Sequence, residues 1–185
     1  MKKYILIAGV NGAGKSTLFQ TIDSLKNMQR INTDEIVRSF GRWDYPKDVM
    51  KAGMIAVKKV NEYFETGISF NQETTLCGKS IIKNMQRAKQ LGYKIEIHYV
   101  GLESPDIAKE RIASRVRCGG HGIPDADVER RYYESFQALK QAVKLSDIVV
   151  LYDNTKAFRR FAVYERGILA TISEQPPKWY ENYVE

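Results

Sequence analysis

The chain has 185 residues, 43% of them hydrophobic, which suffices for a well-buried core and indicates one globular domain over residues 1–185. No apolar run is long enough to cross a membrane and the start lacks the features of a secretion signal, so we expect a soluble, cytoplasmic protein with no membrane partner. The net charge of +7 favours an anionic partner, but charge alone does not choose between nucleic acid, an acidic protein and small phosphorylated molecules.

Apolar segments alternate with segments of helical periodicity along most of the chain. The predicted elements are, in order, a strand at 4–8, a helix at 15–26, a short strand near 30–32, a helix over about 34–40, a helix at 47–65, a strand at 67–71, a helix at 78–91, a strand at 93–100, helices at 105–117 and 125–144, and a strand at 147–151. This alternation predicts an α/β fold with a mostly parallel sheet between two layers of helices. The tail at 158–185 is β-like, with an edge hairpin expected around Glu165–Gly167 and an irregular aromatic end after Pro176–Pro177.

The segment Gly9-Val-Asn-Gly-Ala-Gly-Lys-Ser16 follows the first strand and opens the first helix, which is the context of a phosphate-binding loop. Its glycines allow a tight turn that directs backbone N–H groups inward, Lys15 supplies a positive charge, and Ser16 offers a hydroxyl to Mg²⁺. The expected cofactors are therefore ATP and Mg²⁺, and an accidental glycine-rich turn is the weaker interpretation. The residues expected to hold the nucleotide are Gly9, Asn11, Gly12, Ala13, Gly14, Lys15, Ser16 and Thr17.

Asp34 follows the short strand near 30–32, and two interpretations of this position compete. In the first, Thr33 or Asp34 caps the following helix. In the second, Asp34 is the base that takes a proton from an attacking hydroxyl, because phosphoryl transfer needs a positioned proton acceptor near the γ-phosphate.

The segment Phe70-Asn-Gln-Glu-Thr-Thr75 ends the next strand with a carboxylate and two hydroxyls. A buried Glu73 without a role would be costly, so Glu73 is expected to orient Mg²⁺ water or to bind an acceptor hydroxyl. Thr74 and Thr75 are further candidate acceptor-binding residues. A solvated strand end is the alternative interpretation.

Five arginines lie close together around a glycine-rich turn, whereas the lysines are scattered. They are Arg111, Arg115, Arg117, Arg130 and Arg131. Such a cluster suits bound phosphates better than a long nucleic acid, and like charges on one helix face repel unless anions lie between them. We therefore expect residues 111–131 to form a mobile lid that closes over ATP and stabilises charge on the transferring phosphoryl group. A solvated basic helix is the alternative.

The candidate catalytic residues of this lid are Arg111, Arg115 and Arg117. Arg117 is also a candidate nucleotide contact, and Arg130 is a candidate acceptor contact. His121 in the glycine turn is expected to shape the lid through hydrogen bonds rather than to act as the base. Asn154, after the last core strand, either forms a turn or lies under the adenine of a bound nucleotide.

Several short motifs, in this order and spacing, resemble the zeta-toxin-like family of small P-loop kinases. They are Gly9–Thr17, Asn32–Arg38, Glu73–Leu76, Leu91–Tyr93, Tyr99–Leu102, Arg111–Arg115, Gly119–Pro124, Arg130–Tyr132 and Tyr152–Asn154. The resemblance implies a P-loop NTPase three-layer sandwich of the nucleotide-kinase type, with an arginine-rich lid that clamps the phosphates. It also implies that Lys15 and Ser16 bind ATP·Mg²⁺, that Asp34 is the base, and that Glu73 and Thr75 belong to the acceptor site.

The best-known members of that family are toxins that phosphorylate UDP-N-acetylglucosamine on the sugar 3′-hydroxyl and are silenced by a small antitoxin. The resemblance therefore implies a small nucleotide-linked or phosphorylated acceptor, with UDP-N-acetylglucosamine the leading candidate, and an antitoxin as a protein partner. This chain departs from the toxins two residues beyond the acceptor-site threonine, where it has Cys77 in place of their arginine. The open alternatives are a nucleoside, nucleotide or polynucleotide-end kinase, and a P-loop regulatory ATPase that is not a kinase.

Overall fold

A seven-stranded sheet flanked by helices forms the structure, a computed structural model that describes residues 1–185. The strands are β1 (Lys3–Ala8), β2 (Gln29–Ile31), β3 (Phe70–Thr74), β4 (Lys94–Gly101), β5 (Ile148–Asp153), β6 (Arg159–Glu165) and β7 (Ile168–Ile172). The helices are α1 (Lys15–Thr21), α2 (Asp23–Lys26), α3 (Thr33–Phe40), α4 (Pro46–Thr66), α5 (Lys79–Gln90), α6 (Pro105–Arg117), α7 (Asp125–Leu145) and α8 (Lys178–Tyr183). The predicted α/β class with a mostly parallel sheet is confirmed.

The order of strands in the sheet is β2-β3-β1-β4-β5-β6-β7, and the first five are parallel. The strands β6 and β7 add the antiparallel hairpin that was predicted for the tail. Since the carboxyl ends of parallel strands meet at one edge, the segments that follow them are brought together there. These segments are the phosphate loop 9–16 after β1, residues 32–34 after β2, Thr75 after β3 and Asn154 after β5.

Two elements differ from the sequence prediction by more than two residues at a boundary. The first helix ends at Thr21, because Ile22 has an extended backbone and a separate short helix, α2, follows it. The third strand begins at Phe70 rather than at residue 67, because Gly67 takes a left-handed conformation that ends α4. Glu73 and its neighbour Thr74 are therefore the last two residues of the strand itself.

The expected irregular aromatic end is wrong, since residues 178–183 form α8. Trp179 on this helix is fully buried, stacks on Phe136 with ring centroids 5.3 Å apart, and donates from its indole N–H to Asp153 Oδ1 at 3.1 Å. Tertiary burial of an aromatic residue therefore orders a segment whose proline-rich start favoured irregular structure. None of the eight helices combines the length and the apolar character that a membrane crossing requires.

Candidate active site

A polar cavity of about 850 Å³ opens at the carboxyl edge of the parallel strands. The phosphate loop, the start of α3, the end of β3, α6 and the start of α7 supply its walls. The sequence-predicted residues that line it are Asn11, Gly12, Gly14, Lys15, Ser16, Thr17, Asp34, Glu73, Thr74, Thr75, Arg111, Arg115 and Arg130. Those that do not line it are Gly9, Ala13, Arg117 and Asn154.

The phosphate loop lies tightly against the neighbouring strand. Gly9 has a φ of +138°, and a Cβ at this position would overlap the carbonyl oxygen of Val100 at the end of β4. The Lys15 side chain is buried and its ammonium donates to the Val10 carbonyl at 3.1 Å. Burial lowers the Lys15 pKa, and the nearby carboxylates of Glu73 and Asp34 oppose that shift. The loop thus places the Lys15 amine inside the cavity, close to two carboxylates.

Glu73 is the centre of a network of hydrogen bonds. Its carboxylate accepts from the Ser16 hydroxyl at 3.2 Å, from Arg30 Nη2 at 2.8 Å and from Asn32 Nδ2 at 2.9 Å. The Arg30 and Glu73 side chains are each 11% exposed, and the Arg30 guanidinium stacks 3.6 Å from the ring centroid of Phe19. Glu73 is therefore not a free, solvated carboxylate, and its arginine partner is one that the sequence analysis missed.

The capping of α3 falls to Asn32, so the interpretation of Thr33 or Asp34 as the N-cap is wrong. The Asn32 side-chain oxygen accepts from the backbone N–H of Asp34 at 2.8 Å and from that of Glu35 at 3.4 Å. The three consecutive residues are all good cap formers, and only the backbone decides between them. The Asp34 carboxylate is left to face the cavity, and His121 Nε2 lies 3.6 Å from its Oδ2.

The loop after β3 is held by a buried, strained residue. Leu76 is fully buried with a φ of +61°, and its backbone N–H donates to Thr74 Oγ1 at 3.0 Å. The Cys77 thiol lies in the cavity wall within 3.4 Å of the Thr75 carbonyl and 3.3 Å of that of Arg131. Burial raises the Cys77 pKa, so this wall presents an uncharged thiol.

The arginines between residues 111 and 131 make different contacts. Arg111 donates to the Asn154 carbonyl at 2.7 Å, and Arg131 donates to Asn11 Oδ1 at 3.1 Å. Arg130 pairs with two carboxylates of its own helix, whereas Arg117 ends α6 with an exposed side chain outside the cavity. Arg117 lies two residues beyond Arg115, which places it on a different side of the helix.

A stacked ring pair joins the connection between α6 and α7 to the connection between α3 and α4. The Trp43 and His121 rings lie 4.1 Å apart at an angle of 12°, and both residues line the cavity. Arg115 donates to the His121 carbonyl from Nε at 3.1 Å and from Nη2 at 2.8 Å. His121 thus accepts hydrogen bonds from Arg115 through its backbone carbonyl, and its role in shaping a lid stays a prediction, while Trp43 was missed. The sequence signal that could have identified Trp43 is that it is a lone tryptophan in the otherwise polar connection between α3 and α4.

Asn154 contacts the phosphate loop rather than open space. Its side-chain N–H₂ donates to the Ala13 carbonyl at 2.8 Å, and a Cβ on Gly14 would lie 2.6 Å from the same nitrogen. The ring of Phe158 is the next nearest group to Gly14, at 3.6 Å from that Cβ position, and it is 38% exposed. An exposed aromatic face beside the loop offers a surface on which a base can stack.

The model of the family described as zeta toxin matches residues 1–167 of the chain. An uncharacterized protein of Haemophilus influenzae is 33% identical over 130 residues, which cover 70% of this chain and 92% of that protein.

Similar solved structures share the fold at low sequence identity. A chain of the AvrRxo1-ORF1:-ORF2 complex with ATP matches with a TM-score of 0.76 and 12% identity, covering all of this chain, which spans 64% of that chain's length. A chain of the PezAT chromosomal toxin–antitoxin system of Streptococcus pneumoniae matches with a TM-score of 0.59 and 15% identity over 85% of this chain and 70% of its own. At these identities the likeness extends to the fold.

Proposed function

Because the chain belongs to the zeta toxin family, we propose that it is a kinase that transfers the γ-phosphate of ATP to a hydroxyl of a small nucleotide-linked or phosphorylated acceptor. The observation that carries this proposal is the convergence of Lys15, Asp34 and Glu73 on one cavity. A phosphate-binding loop alone is compatible with a regulatory ATPase. A second carboxylate-lined wall facing that loop is what a hydroxyl acceptor requires.

The nucleotide half of the site is the phosphate loop with the lid arginines. Backbone N–H groups of the loop and the Lys15 ammonium bind the β- and γ-phosphates, and Arg111 and Arg115 close on them from α6. The Ser16 hydroxyl and the Glu73 carboxylate, 3.2 Å apart, form a pair of oxygen donors that suits Mg²⁺. When bound, Mg²⁺ neutralises charge on the phosphates.

The acceptor half of the site is the wall formed by Asp34, Glu73 and Thr75. The acceptor oxygen attacks the γ-phosphorus, the bond from phosphorus to the β,γ-bridging oxygen breaks, Asp34 takes the hydroxyl proton, and ADP leaves. The hydrogen bond from Arg30 holds the Glu73 carboxylate in place, so that its remaining lone pairs orient the acceptor hydroxyl.

UDP-N-acetylglucosamine is the leading acceptor in this proposal, and a small antitoxin is the proposed protein partner. Arg130 and Arg131 are cations that line the cavity on the α7 side and can meet an acceptor diphosphate. Cys77 removes one cation from the same wall, so the diphosphate is held more weakly than an arginine at that position would hold it.

The test is phosphate transfer from labelled ATP to a panel of UDP-sugars, nucleosides, nucleotides and RNA ends, with products identified by mass spectrometry. We expect one class of small acceptor to be labelled by the native protein and not by the Asp34→Asn variant. If only nucleosides or RNA ends are labelled, the protein is a nucleoside or polynucleotide-end kinase, and UDP-sugars are not its acceptors. If ATP is hydrolysed and no acceptor is labelled, the result would instead favour the regulatory ATPase.

A further inference from the structure

The stacked rings of Trp43 and His121, named here the ring latch, connect two segments that approach the cavity from opposite sides. Trp43 lies between α3 and α4, next to the helix that carries Asp34, and His121 lies between α6 and α7 in the lid. A second cavity of about 460 Å³ is lined by the same two rings and by residues 119–122. The ring latch is therefore the partition between the active-site cavity and this neighbouring space.

His121 lies next to two groups of the proposed reaction, the lid arginine Arg115 and the candidate base Asp34. Its side chain is 6% exposed, and Nε2 lies 3.3 Å from Arg115 Nη2 and 3.6 Å from Asp34 Oδ2. Its backbone carbonyl accepts two further hydrogen bonds from the same guanidinium. One buried imidazole thus spans the distance between a lid cation and the candidate base.

A purely structural stack does not account for this arrangement. The ring nitrogens Trp43 Nε1 and His121 Nδ1 are both buried without a hydrogen-bond partner. A buried polar group without a hydrogen bond lowers the stability of the fold. Two apolar rings in the same places would not have this cost. The glycines at 119, 120 and 122 also leave the segment around His121 free to move, which a packing contact does not need.

We propose that the ring latch positions Arg115 and Asp34 relative to each other when the lid closes, with His121 as a positioning residue for phosphoryl transfer. This inference rests on the proposed kinase function and deepens it. In the closed lid the His121 ring packs on the flat face of Trp43. His121 holds the Arg115 guanidinium in place, and its ring also lies next to the Asp34 carboxylate. Burial lowers the His121 pKa, so a neutral imidazole leaves the Asp34 carboxylate free to accept a proton.

The kinetic test compares the native protein with His121→Ala, Trp43→Ala and the conservative variant Trp43→Phe. A misplacement of reacting groups by about 1 Å can cost about 10²-fold in rate, so we expect His121→Ala and Trp43→Ala to lower kcat to about that extent. The dissociation constant for ATP should stay unchanged, and Trp43→Phe should keep most of the rate because it retains a ring. His121→Phe restores the stack without the ring nitrogens, and a rate that stays low in this variant locates the effect in the polar contacts.

A second measurement does not depend on any acceptor. The chain has two tryptophans and Trp179 is fully buried, so collisional quenching of tryptophan emission by acrylamide reports on Trp43. We expect stronger quenching in His121→Ala than in the native protein with a non-hydrolysable ATP analogue, and an unchanged far-UV circular dichroism spectrum. Equal quenching in both proteins would overturn the ring latch. Native kcat in both alanine variants would overturn the positioning role, whereas absence of transfer by the native protein would count against the kinase function and leave the quenching result to decide on the latch.

Discussion

Replacing Asp34 by Asn should separate catalysis from stability. The carboxylate makes no capping hydrogen bond, since Asn32 caps α3, and the Asp34 side chain is 35% exposed. Its remaining stabilising effect is that of a negative charge in the first turn of a helix, about 0.3–1 kcal/mol. In a chain of this length that corresponds to a fall in Tm of roughly 1–4 °C.

The rate should respond much more strongly. Loss of a positioned general base typically costs about 10²–10⁴-fold, which is roughly 2.7–5.4 kcal/mol in the activation free energy. The assay is initial-rate phosphate transfer at saturating Mg·ATP, beside thermal unfolding of the same preparations.

Glu35→Gln is the matched control for this experiment. It removes a negative charge from the same helical turn, outside the cavity, and keeps an oxygen that can accept from Arg30. We expect it to lower Tm at least as much as Asp34→Asn does, because it also weakens the ion pair with Arg30, and to leave the rate within a few-fold of native. An Asp34→Asn variant with native turnover and a markedly lower Tm would refute the role of Asp34 as the base.

Four further outcomes are expected. Lys15→Ala should abolish transfer while the protein stays folded, because the buried ammonium is desolvated and its removal costs little stability; turnover near native at saturating Mg·ATP would argue against the loop as catalytic. Amide hydrogen exchange across 111–131 should slow when a non-hydrolysable ATP analogue binds, and equal exchange in both states would contradict a lid. UDP-N-acetylglucosamine, if labelled, should show a weak KM that Cys77→Arg improves by roughly ten- to hundred-fold, through a charge-assisted contact of about 1.5–3 kcal/mol; an unchanged KM would remove this wall from the diphosphate site. Trp179→Ala should destabilise the protein by about 3–5 kcal/mol, and a Tm within a degree of native would show that α8 does not support the core.

The succession of strands and helices along the chain and the place of the phosphate loop could be predicted because both depend on local patterns. The apolar run 4–8 with Gly9–Ser16 behind it specifies a strand, a turn and a helix start within one stretch of sequence. Parallel strands then bring residues 32–34 and 73–75 to the same edge whatever their distance along the chain. Ser16 and Glu73 meet for this reason.

The partners of these residues could not be predicted, because they depend on how separate elements pack. Arg30 on β2 is 43 residues from Glu73, and only the pairing of β2 with β3 makes them neighbours. Trp43 meets His121 only when the connection between α6 and α7 packs against the connection between α3 and α4. The helix at 178–183 is likewise ordered by burial of its tryptophan, which outweighs the local preference of a proline-rich segment.

The hydrogen bond from Asn154 to the Ala13 carbonyl has a consequence for how ATP is captured. Together with the bond from Arg131 to Asn11, it fastens the phosphate loop at two points without help from a nucleotide. A loop that is already rigid loses little conformational freedom when phosphates arrive, so the entropic cost of binding falls on the lid. In the proposed kinase the loop is therefore a preformed phosphate site, and we expect the ordering that accompanies ATP binding to take place in residues 111–131.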